Sequence, residues 1–155
     1  MKKPYRIMFV CLGNICRSPM AELLFKDMVK KAGREEEFEI ASSATASDNV
    51  YRGKGAPVYP PVKALLEEMG ISCTEKRAQV LTSAHGEYYD LFLCMDDNNV
   101  RNASRILGEK NAFKCKKLLS YAGESGDVAD PWYTRDFSIA YRDIVRGLQA
   151  LLAQV

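Results

Sequence analysis

Residues 11–18, which read Cys-Leu-Gly-Asn-Ile-Cys-Arg-Ser, constrain the fold of this chain more than any other feature. They follow an apolar run at residues 7–10 and precede Pro19, which opens an amphipathic stretch. The run predicts a buried strand, and proline is favoured in the first turn of a helix. The sequence therefore predicts a strand, a tight loop and a helix, with loop amides and the helix amino terminus facing one anion.

The rest of the chain alternates predicted strands and helices. Strands are predicted at residues 5–11, 38–42, 91–95 and 112–119, and helices at residues 19–32, 61–70, 98–107 and 137–151. Residues 43–60 are rich in serine, glycine, asparagine and proline and predict a long loop. Repeated β-α units favour an α/β fold, a parallel sheet with helices on both faces. At 155 residues the chain is expected to form a single domain, residues 1–155.

Composition excludes several classes of protein. The net charge of +2 gives no reason to expect a nucleic-acid or membrane partner. No apolar stretch approaches membrane-spanning length, and residues 1–4 lack the apolar region of a signal peptide. Five cysteines is an odd number without the spacing of a disulfide scaffold, which favours a reducing, cytoplasmic location. Cys73, Cys94 and Cys115 are too dispersed for a zinc site.

The residue types of the loop fit phosphoryl transfer. Amide dipoles and a nearby cation favour the thiolate of Cys11, a strong nucleophile that needs no histidine base. The guanidinium of Arg17 can bind two phosphate oxygens at once. Gly13 permits a left-handed or otherwise strained turn, and Asn14 also tolerates such geometry and can tie the loop together. Ser18 can start the helix and donate its hydroxyl to Cys11. A buried structural cysteine is the alternative interpretation.

Cleavage of an aryl phosphate also needs an acid, because a phenol leaves slowly as an anion at neutral pH. Residues 123–132 are rich in glycine, serine and acidic side chains, and residues 130–133 read Asp-Pro-Trp-Tyr. Pro131 restrains Asp130, and Trp132 and Tyr133 offer flat apolar walls for an aromatic ring. Asp130 is therefore predicted to be the general acid. A helix cap before the last helix is the alternative interpretation of Asp130.

Three segments together resemble the low-molecular-weight protein-tyrosine phosphatases: residues 11–22, residues 93–96 (Leu-Cys-Met-Asp) and residues 130–133. The resemblance covers essentially the whole chain. It implies a four-stranded parallel sheet in a flavodoxin-like three-layer sandwich, with no metal and no organic cofactor. It also implies Cys11 as nucleophile, Arg17 as phosphate clamp and Asp130 as acid and then base.

The same resemblance implies roles for other residues. Asn14 and Ser18 match positions that hold the loop and the thiolate, and Ser42 matches a serine that supports the loop from the second strand. Cys16 matches a second loop cysteine that can form a protective disulfide with the nucleophile. The predicted site comprises the phosphate-binding loop, with Leu12, Gly13, Asn14, Ile15, Cys16 and Ser18, and the substrate wall of Trp132 and Tyr133.

The chain departs from the family pattern outside the reacting residues. Residues 42–45 read Ser-Ser-Ala-Thr where the family commonly has Ser-Ala-Gly-Thr, and an aromatic residue often found near position 49 is missing. Tyr51 is a candidate to fill that wall. The departures concern the outer substrate surface rather than the reaction.

Several functions remain open. The first is hydrolysis of phosphotyrosine through a phosphocysteine intermediate. It implies phosphotyrosine-containing proteins as partners, phosphate or vanadate as inhibitors, and a monomer or weak homo-oligomer. An arsenate reductase or a protein-arginine phosphatase on the same scaffold is the second, although Cys73 and Cys94 lie too far apart to be a typical resolving pair. A non-catalytic anion-binding module is the third, and the presence of Asp130 disfavours it. His85 is predicted to lie in a surface turn, which disfavours a Cys/His pair.

Overall fold

The computed structural model describes residues 3–155; Met1 and Lys2, which the single-domain prediction includes, lie outside them. Six strands are described: β1 (Tyr5–Cys11), β2 (Phe38–Ala44), β3 (Val50–Tyr51), β4 (Lys54–Gly55), β5 (Leu91–Cys94) and β6 (Cys115–Lys117). Four of them form a parallel sheet in the order β2-β1-β5-β6, and β3 and β4 form a separate antiparallel hairpin. The predicted four-stranded parallel sheet is confirmed.

Helices connect and cover these strands. In the described part of the chain they are α1 (Arg17–Lys31), α2 (Pro60–Glu68), α3 (Ser83–Tyr88), α4 (Asp97–Leu107), α5 (Pro131–Thr134) and α6 (Phe137–Gln154). Short 3₁₀ helices occupy Glu35–Glu37, Ala112–Lys114 and Leu118–Ala122. Two prolines begin α2. The first backbone N–H groups of a helix have no intrahelical acceptor, so proline, which lacks the N–H group, loses no hydrogen bond there.

The alternating side chains of β1 separate two apolar cores. Ile7, Phe9 and Cys11 face a core that includes side chains of α1, α2 and α6, whereas Met8 and Val10 face a smaller core with α4. Such burial on both faces is expected of a parallel strand between two helical layers. The molecule is therefore the three-layer sandwich that the resemblance implies.

The structure differs from the predicted elements in three places. The predicted strand at 112–119 shrinks to β6, because 3₁₀ turns occupy both its ends and only three residues pair with β5. Residues 43–60 are not one loop, since β2 continues to Ala44 and the β3-β4 hairpin follows. His85 lies in α3 rather than in a surface turn, because its Nδ1 accepts the backbone N–H of Thr82 at 3.0 Å and completes a capping box.

The carboxyl ends of the central strands meet at one edge of the sheet. Val10 pairs with Cys94, so Cys11, the last residue of β1, and Asp96, two residues after β5, lie at the same edge. Ligands of open parallel sheets bind at this edge. Within residues 3–155, no helix is long and apolar enough to cross a membrane.

Candidate active site

The loop after β1 curves back toward the sulfur of Cys11, the last residue of that strand. Cys11 is 4% exposed. Its Sγ accepts a hydrogen bond from the backbone N–H of Asn14 at 3.3 Å and lies 2.9 Å from Oγ of Ser18. The first turn of α1 follows directly, so the positive end of the helix dipole faces the same place. A hydrogen-bond donor and a helix amino terminus thus face this sulfur.

Asn14, not Gly13, adopts the left-handed backbone conformation of the loop. Asn14 has a φ of 56°, whereas Gly13 is absent from the residues with positive φ. The left-handed conformation of the loop therefore falls on Asn14, the other residue expected to tolerate it, because its short polar side chain can bond locally. The space beside Gly13 is taken by Asn49, whose Nδ2 donates to the Gly13 carbonyl at 3.0 Å.

Buried polar side chains join the loop to β2. The Nδ2 group of Asn14 donates to Oγ of Ser18 at 2.7 Å and to Oγ of Ser42 at 2.9 Å. The backbone N–H of Gln79 donates to Oδ1 of Asn14 at 3.0 Å, which fixes the orientation of the amide. Oγ of Ser42 in turn donates to Oε1 of Glu22 at 2.6 Å. These contacts place Asn14, Ser18 and Ser42 together as a support for the loop.

The directions of these hydrogen bonds follow from the chemistry of the two ends. The carboxylate of Glu22 can only accept, so the hydroxyl proton of Ser42 points to it. Asn14 donates one amide hydrogen to Ser42 and the other to Ser18. Ser18 accepts one of them and keeps its own proton to donate to the sulfur of Cys11. A thiolate is stabilised by such a donor, whereas a thiol needs it less.

Glu22 carries a full charge in this otherwise neutral network. It is 4% exposed, and its carboxylate lies 3.0 Å from Nζ of Lys76 and 2.7 Å from Nζ of Lys26. Burial alone would raise the pKa of Glu22, but Lys76 and Lys26 together with the hydrogen bonds hold that pKa below its ordinary value. Glu22 is therefore ionised at neutral pH.

Arg17, the first residue of α1, is held from two sides. It is 5% exposed, and Nη1 donates to the carbonyl of Val128 at 3.0 Å while Nη2 donates to Oδ2 of Asp96 at 3.0 Å. Asp96 also caps α4, because its Oδ1 accepts the N–H of Asn99 at 2.8 Å. The two contacts use two of the five N–H groups of the guanidinium and leave the others for an oxyanion.

Asp130 lies beside Arg17. Its Oδ2 is 3.7 Å from Nη2 of Arg17, and its Oδ1 accepts the backbone N–H of Trp132 at 3.0 Å. Asp130 therefore caps the short helix α5, while α6 has its own cap in Asp136. The cap holds one carboxylate oxygen and turns the other toward the site.

A cavity of about 320 Å³ lies above the loop. The walls are residues 11–17, Asp48, Asn49, Asp130 and Trp132. Trp132 is held edge-on against Tyr59, with ring centroids 4.9 Å apart, and Tyr59 stacks on Phe137 at 5.7 Å. The sulfur, the acid and one aromatic wall thus share one cavity, large enough for a phenyl phosphate.

The structure places two other predicted wall residues elsewhere. Tyr133 is 88% exposed and lines a neighbouring cavity of about 440 Å³, together with Leu12, Asp96 and Asp130. Tyr51 is 73% exposed on the β3-β4 hairpin and does not line the cavity above the loop. The aromatic wall facing Cys11 is therefore Trp132 with Tyr59 behind it.

The other cysteines are not equivalent to Cys11. Cys16 precedes α1, and burial, followed by the neighbouring Cys11, raises the pKa of its thiol to about 12. Cys73 and Cys94 are buried and Cys115 is half-buried, and all five cysteines are free. Among residues 3–155 no group of three or more His, Cys, Asp or Glu side chains could hold a metal ion.

Sequence reasoning missed four parts of the site. Glu22 lies within residues 11–22, but the sequence analysis gave it no role. It is three residues before the buried Phe25 in the same helix, and a carboxylate on a buried helix face needs a cation beside it. Asn49, Gln79 and the carbonyl of Val128 carry no signal of their own, because they come from loops whose paths only the tertiary structure sets.

Comparisons with known proteins match nearly the whole of this chain. The family model described as low molecular weight phosphotyrosine protein phosphatase matches residues 6–155. The low molecular weight protein-tyrosine-phosphatase YfkJ of Bacillus subtilis is 34% identical over 96% of this chain and 94% of its own length. A low molecular weight phosphotyrosine protein phosphatase of Schizosaccharomyces pombe is 38% identical over 100% of this chain and 99% of its own.

Solved structures of related phosphatases have the same fold as this chain. The crystal structure of YfkJ superposes with a TM-score of 0.91 at 33% identity, covering 98% of this chain and 94% of the other. A Drosophila arginine phosphatase superposes with a TM-score of 0.82 at 25% identity, covering 95% of both chains.

Proposed function

Because the chain belongs to the low molecular weight phosphotyrosine protein phosphatase family, we propose that it hydrolyses phosphotyrosine in proteins through a phosphocysteine intermediate. One observation supports this most: the sulfur of Cys11, with Ser18 Oγ at 2.9 Å, lines the same cavity as Arg17 and Asp130. A nucleophile, a bidentate cation and an acid in one cavity are what phosphoester transfer requires.

In the first step the Cys11 thiolate attacks phosphorus in line with the phenolic oxygen. The S–P bond forms as the O–P bond breaks, and protonated Asp130 gives its proton to the departing phenol. Loop amides and the free N–H groups of Arg17 bind the equatorial oxygens, where negative charge is concentrated. The product is a phosphocysteine and a neutral phenol.

In the second step the carboxylate of Asp130 takes a proton from water. That water attacks phosphorus, the S–P bond breaks and inorganic phosphate forms. Cys11 leaves as a thiolate, which the hydroxyl of Ser18 and the N–H of Asn14 stabilise. The nucleophile and the acid return to their starting states without a cofactor.

The cavity above the loop favours an aryl ester. Leu12 and Ile15 line it with Trp132, so a flat ring passes between apolar walls to reach Cys11. Phosphoserine is too short to fill this depth. A relative described as an arginine phosphatase has the same fold, which makes phosphoarginine the second candidate substrate. The branched apolar side chain of Ile15 disfavours a guanidinium beside it.

The two other candidates have less support. Arsenate reduction needs resolving cysteines on a mobile segment, yet Cys73 is 2% and Cys94 0% exposed. A purely binding module has no use for an acid, yet Asp130 lies 3.7 Å from Arg17. The odd number of cysteines, all of them free, supports a reducing, cytoplasmic location.

We also propose that Cys16 protects the nucleophile. Peroxide would oxidise the Cys11 thiolate to a sulfenic acid, and attack by Cys16 would form a disulfide and release water. Because the pKa of Cys16 is raised to about 12, that capture is expected to be slow at neutral pH. Mass spectrometry after mild oxidation should find the Cys11–Cys16 linkage, and Cys16→Ser should make inactivation harder to reverse; no linkage would contradict this role.

A steady-state assay with an aryl phosphate tests the proposed function. Wild-type protein should turn over the ester and vanadate should inhibit competitively. Cys11→Ser should keep the thermal midpoint and lose turnover, because a serine hydroxyl stays protonated with no base beside it. Turnover by Cys11→Ser at the wild-type rate would refute the mechanism.

A further inference from the structure

Another cavity, of about 1080 Å³, lies between α1, the β3-β4 hairpin and residues 72–79. It does not share a lining residue with the cavity above the loop. Lys26, Lys54, Lys76 and Arg77 line it, against the carboxylates of Glu22 and Glu75. None of Cys11, Arg17 and Asp130 lines this cavity, so it has no role in the proposed reaction.

The walls of this basic cavity are fixed before any ligand arrives. The N–H of Ala78 donates to the carbonyl of Ala56 at 2.9 Å, and Pro57 pairs with Arg77 across the same contact. Gly55 approaches so closely that a Cβ there would lie 1.9 Å from the carbonyl oxygen of Ala78. The hairpin is thus tied to residues 77–78, and the cavity between them and α1 is preformed.

Two of the lining cations have no carboxylate partner within residues 3–155. Lys54 is exposed and makes no ion pair there. Arg77 is exposed, and its Nη1 donates only to the carbonyls of Thr74 and Lys76, at 3.0 and 3.1 Å. Glu75 is the one opposing carboxylate in the cavity besides Glu22, which two lysines already neutralise. The cavity therefore has an excess of positive charge at its rim and an ion cluster at its base.

The ion cluster at the base belongs to the network that ends on the nucleophile. Lys76 is only 10% exposed at its side chain, and its Nζ donates to Glu22 at 3.0 Å and to the carbonyl of Ser42 at 3.1 Å. Oε1 of Glu22 accepts the hydroxyl proton of Ser42 at 2.6 Å, and Oγ of Ser42 accepts one amide hydrogen of Asn14. The other amide hydrogen of Asn14 goes to Ser18, which contacts Cys11. A ligand that draws Lys26 and Lys76 from Glu22 would leave this buried carboxylate less neutralised and so alter the polarisation of the hydrogen bonds that lead to Cys11.

We propose that the basic cavity binds a small polyanion carrying at least two phosphate or carboxylate groups, and that its binding is coupled to Cys11 through Glu22. One anionic group would contact Lys54 and Arg77 at the rim. Another would compete with Glu22 for the ammonium groups of Lys26 and Lys76 at the base. Because these lysines are partly screened from water, their attraction to a second anion is stronger than on an open surface.

Calorimetry with tripolyphosphate as the probe tests the binding. The protein is first saturated with benzylphosphonate, a non-hydrolysable aryl phosphonate chosen to fill the cavity above Cys11, and the titration is run at low ionic strength. One mole of probe should bind per mole of protein. Lys54→Gln/Arg77→Gln should weaken binding at least tenfold. The control Lys110→Gln/Lys116→Gln removes the same charge elsewhere and should stay within about twofold of wild type. No binding, or equal weakening in both double variants, would overturn the site.

Kinetics test the coupling, which rests on the proposed phosphatase activity. At saturating aryl phosphate, tripolyphosphate should lower kcat at least twofold in wild type and leave kcat unchanged in Lys54→Gln/Arg77→Gln. A probe that bound only above Cys11 would raise KM and leave kcat alone, which would refute the coupling. If wild type shows no turnover without the probe, the proposed function fails, and the calorimetric result still decides the site.

Discussion

At the scale of single residues, Asn14 organises the hydrogen bonds around the sulfur of Cys11: its backbone N–H donates to that sulfur and its side chain donates to Ser18. Asn14 has a φ of 56°, and its side-chain amide donates to both Ser18 and Ser42. Glu22 then accepts the hydroxyl proton of Ser42. Ser18 is therefore left to donate its hydroxyl proton to the sulfur of Cys11, and within residues 3–155 the hydrogen bonds to this sulfur come from Ser18 and Asn14. In the proposed reaction these oriented dipoles stand where other cysteine enzymes use a neighbouring base.

Asp130→Asn tests the acid at this scale. Asparagine still accepts the N–H of Trp132, so α5 keeps its cap, but it has no proton to give to a leaving phenol. Rates with a phenol of high pKa should fall by about 10² to 10⁴, and rates with a nitrophenyl ester should fall much less. Comparing kcat for the two esters checks the role. An equal loss for both would remove Asp130 from proton transfer.

Ile15 sets the substrate preference we expect. Phosphotyrosine peptides should exceed both phosphoserine and phosphoarginine substrates by at least about tenfold in kcat/KM, about 1.4 kcal/mol. Ile15→Thr should narrow the ratio of phosphotyrosine to phosphoarginine, because a hydroxyl can hydrogen-bond the guanidinium that Ile15 desolvates. The three substrates are measured side by side on both proteins. A wild-type preference for phosphoarginine would contradict the substrate assignment and leave the reaction intact.

At the scale of elements, the sequence predicts the helices and strands that have a periodic apolar pattern, and it misses features that depend on contacts with other parts of the chain. β1, α1, α2, α4 and α6 are found within a few residues of their predicted places, because apolar spacing and flanking proline or glycine mark them. β6 is too short for its pattern, since pairing with β5 decides its length. The phosphate loop was recognisable from residues 11–18, whereas its support by Gln79 and Asn49 requires two later loops to return to it.

The capping box of α3 should make this element sensitive to pH. Nδ1 of His85 accepts the N–H of Thr82, so the box needs neutral imidazole, and burial lowers the pKa of His85. The folded state therefore binds its proton less readily than the unfolded chain, and stability is lost as pH falls below about 6.5, the ordinary value.

The variant His85→Gln isolates this effect. Glutamine at this position can still reach back to Thr82 but does not titrate. Between pH 8 and pH 5.5, wild type should lose about 0.5 kcal/mol more of its unfolding free energy than His85→Gln, within the range of a helix cap. Thermal melts of both proteins across that interval measure the difference. Identical pH profiles would show that the box survives protonation.

At the scale of the whole molecule, one tight contact joins α6 to the edge of the sheet that β6 forms. Gly147 in α6 packs on Leu118, which follows β6 and is fully buried. A Cβ on Gly147 would lie 2.6 Å from Cγ of Leu118, and both δ carbons lie within 3.2 Å. Since α6 also packs on α1, this contact sets how closely the helical layer approaches the sheet that carries Cys11.

Gly147→Ala should consequently destabilise the protein, although alanine is the better helix former. Helix propensity favours alanine by about 1 kcal/mol, while overpacking a closed core costs about 1–3 kcal/mol. The net loss should be about 1 kcal/mol, or a fall of about 3 °C in thermal midpoint. Leu118→Ala in the same chain opens the space and should make Gly147→Ala stabilising there. The exposed Gln149→Ala is the control and should shift the midpoint little. Cys11 and Asp96 lie at the carboxyl ends of β1 and β5, so kcat for an aryl phosphate at 25 °C should be unchanged in Gly147→Ala. A fall in kcat without a fall in thermal midpoint would mean that the position of α6 affects the loop of residues 11–18 directly.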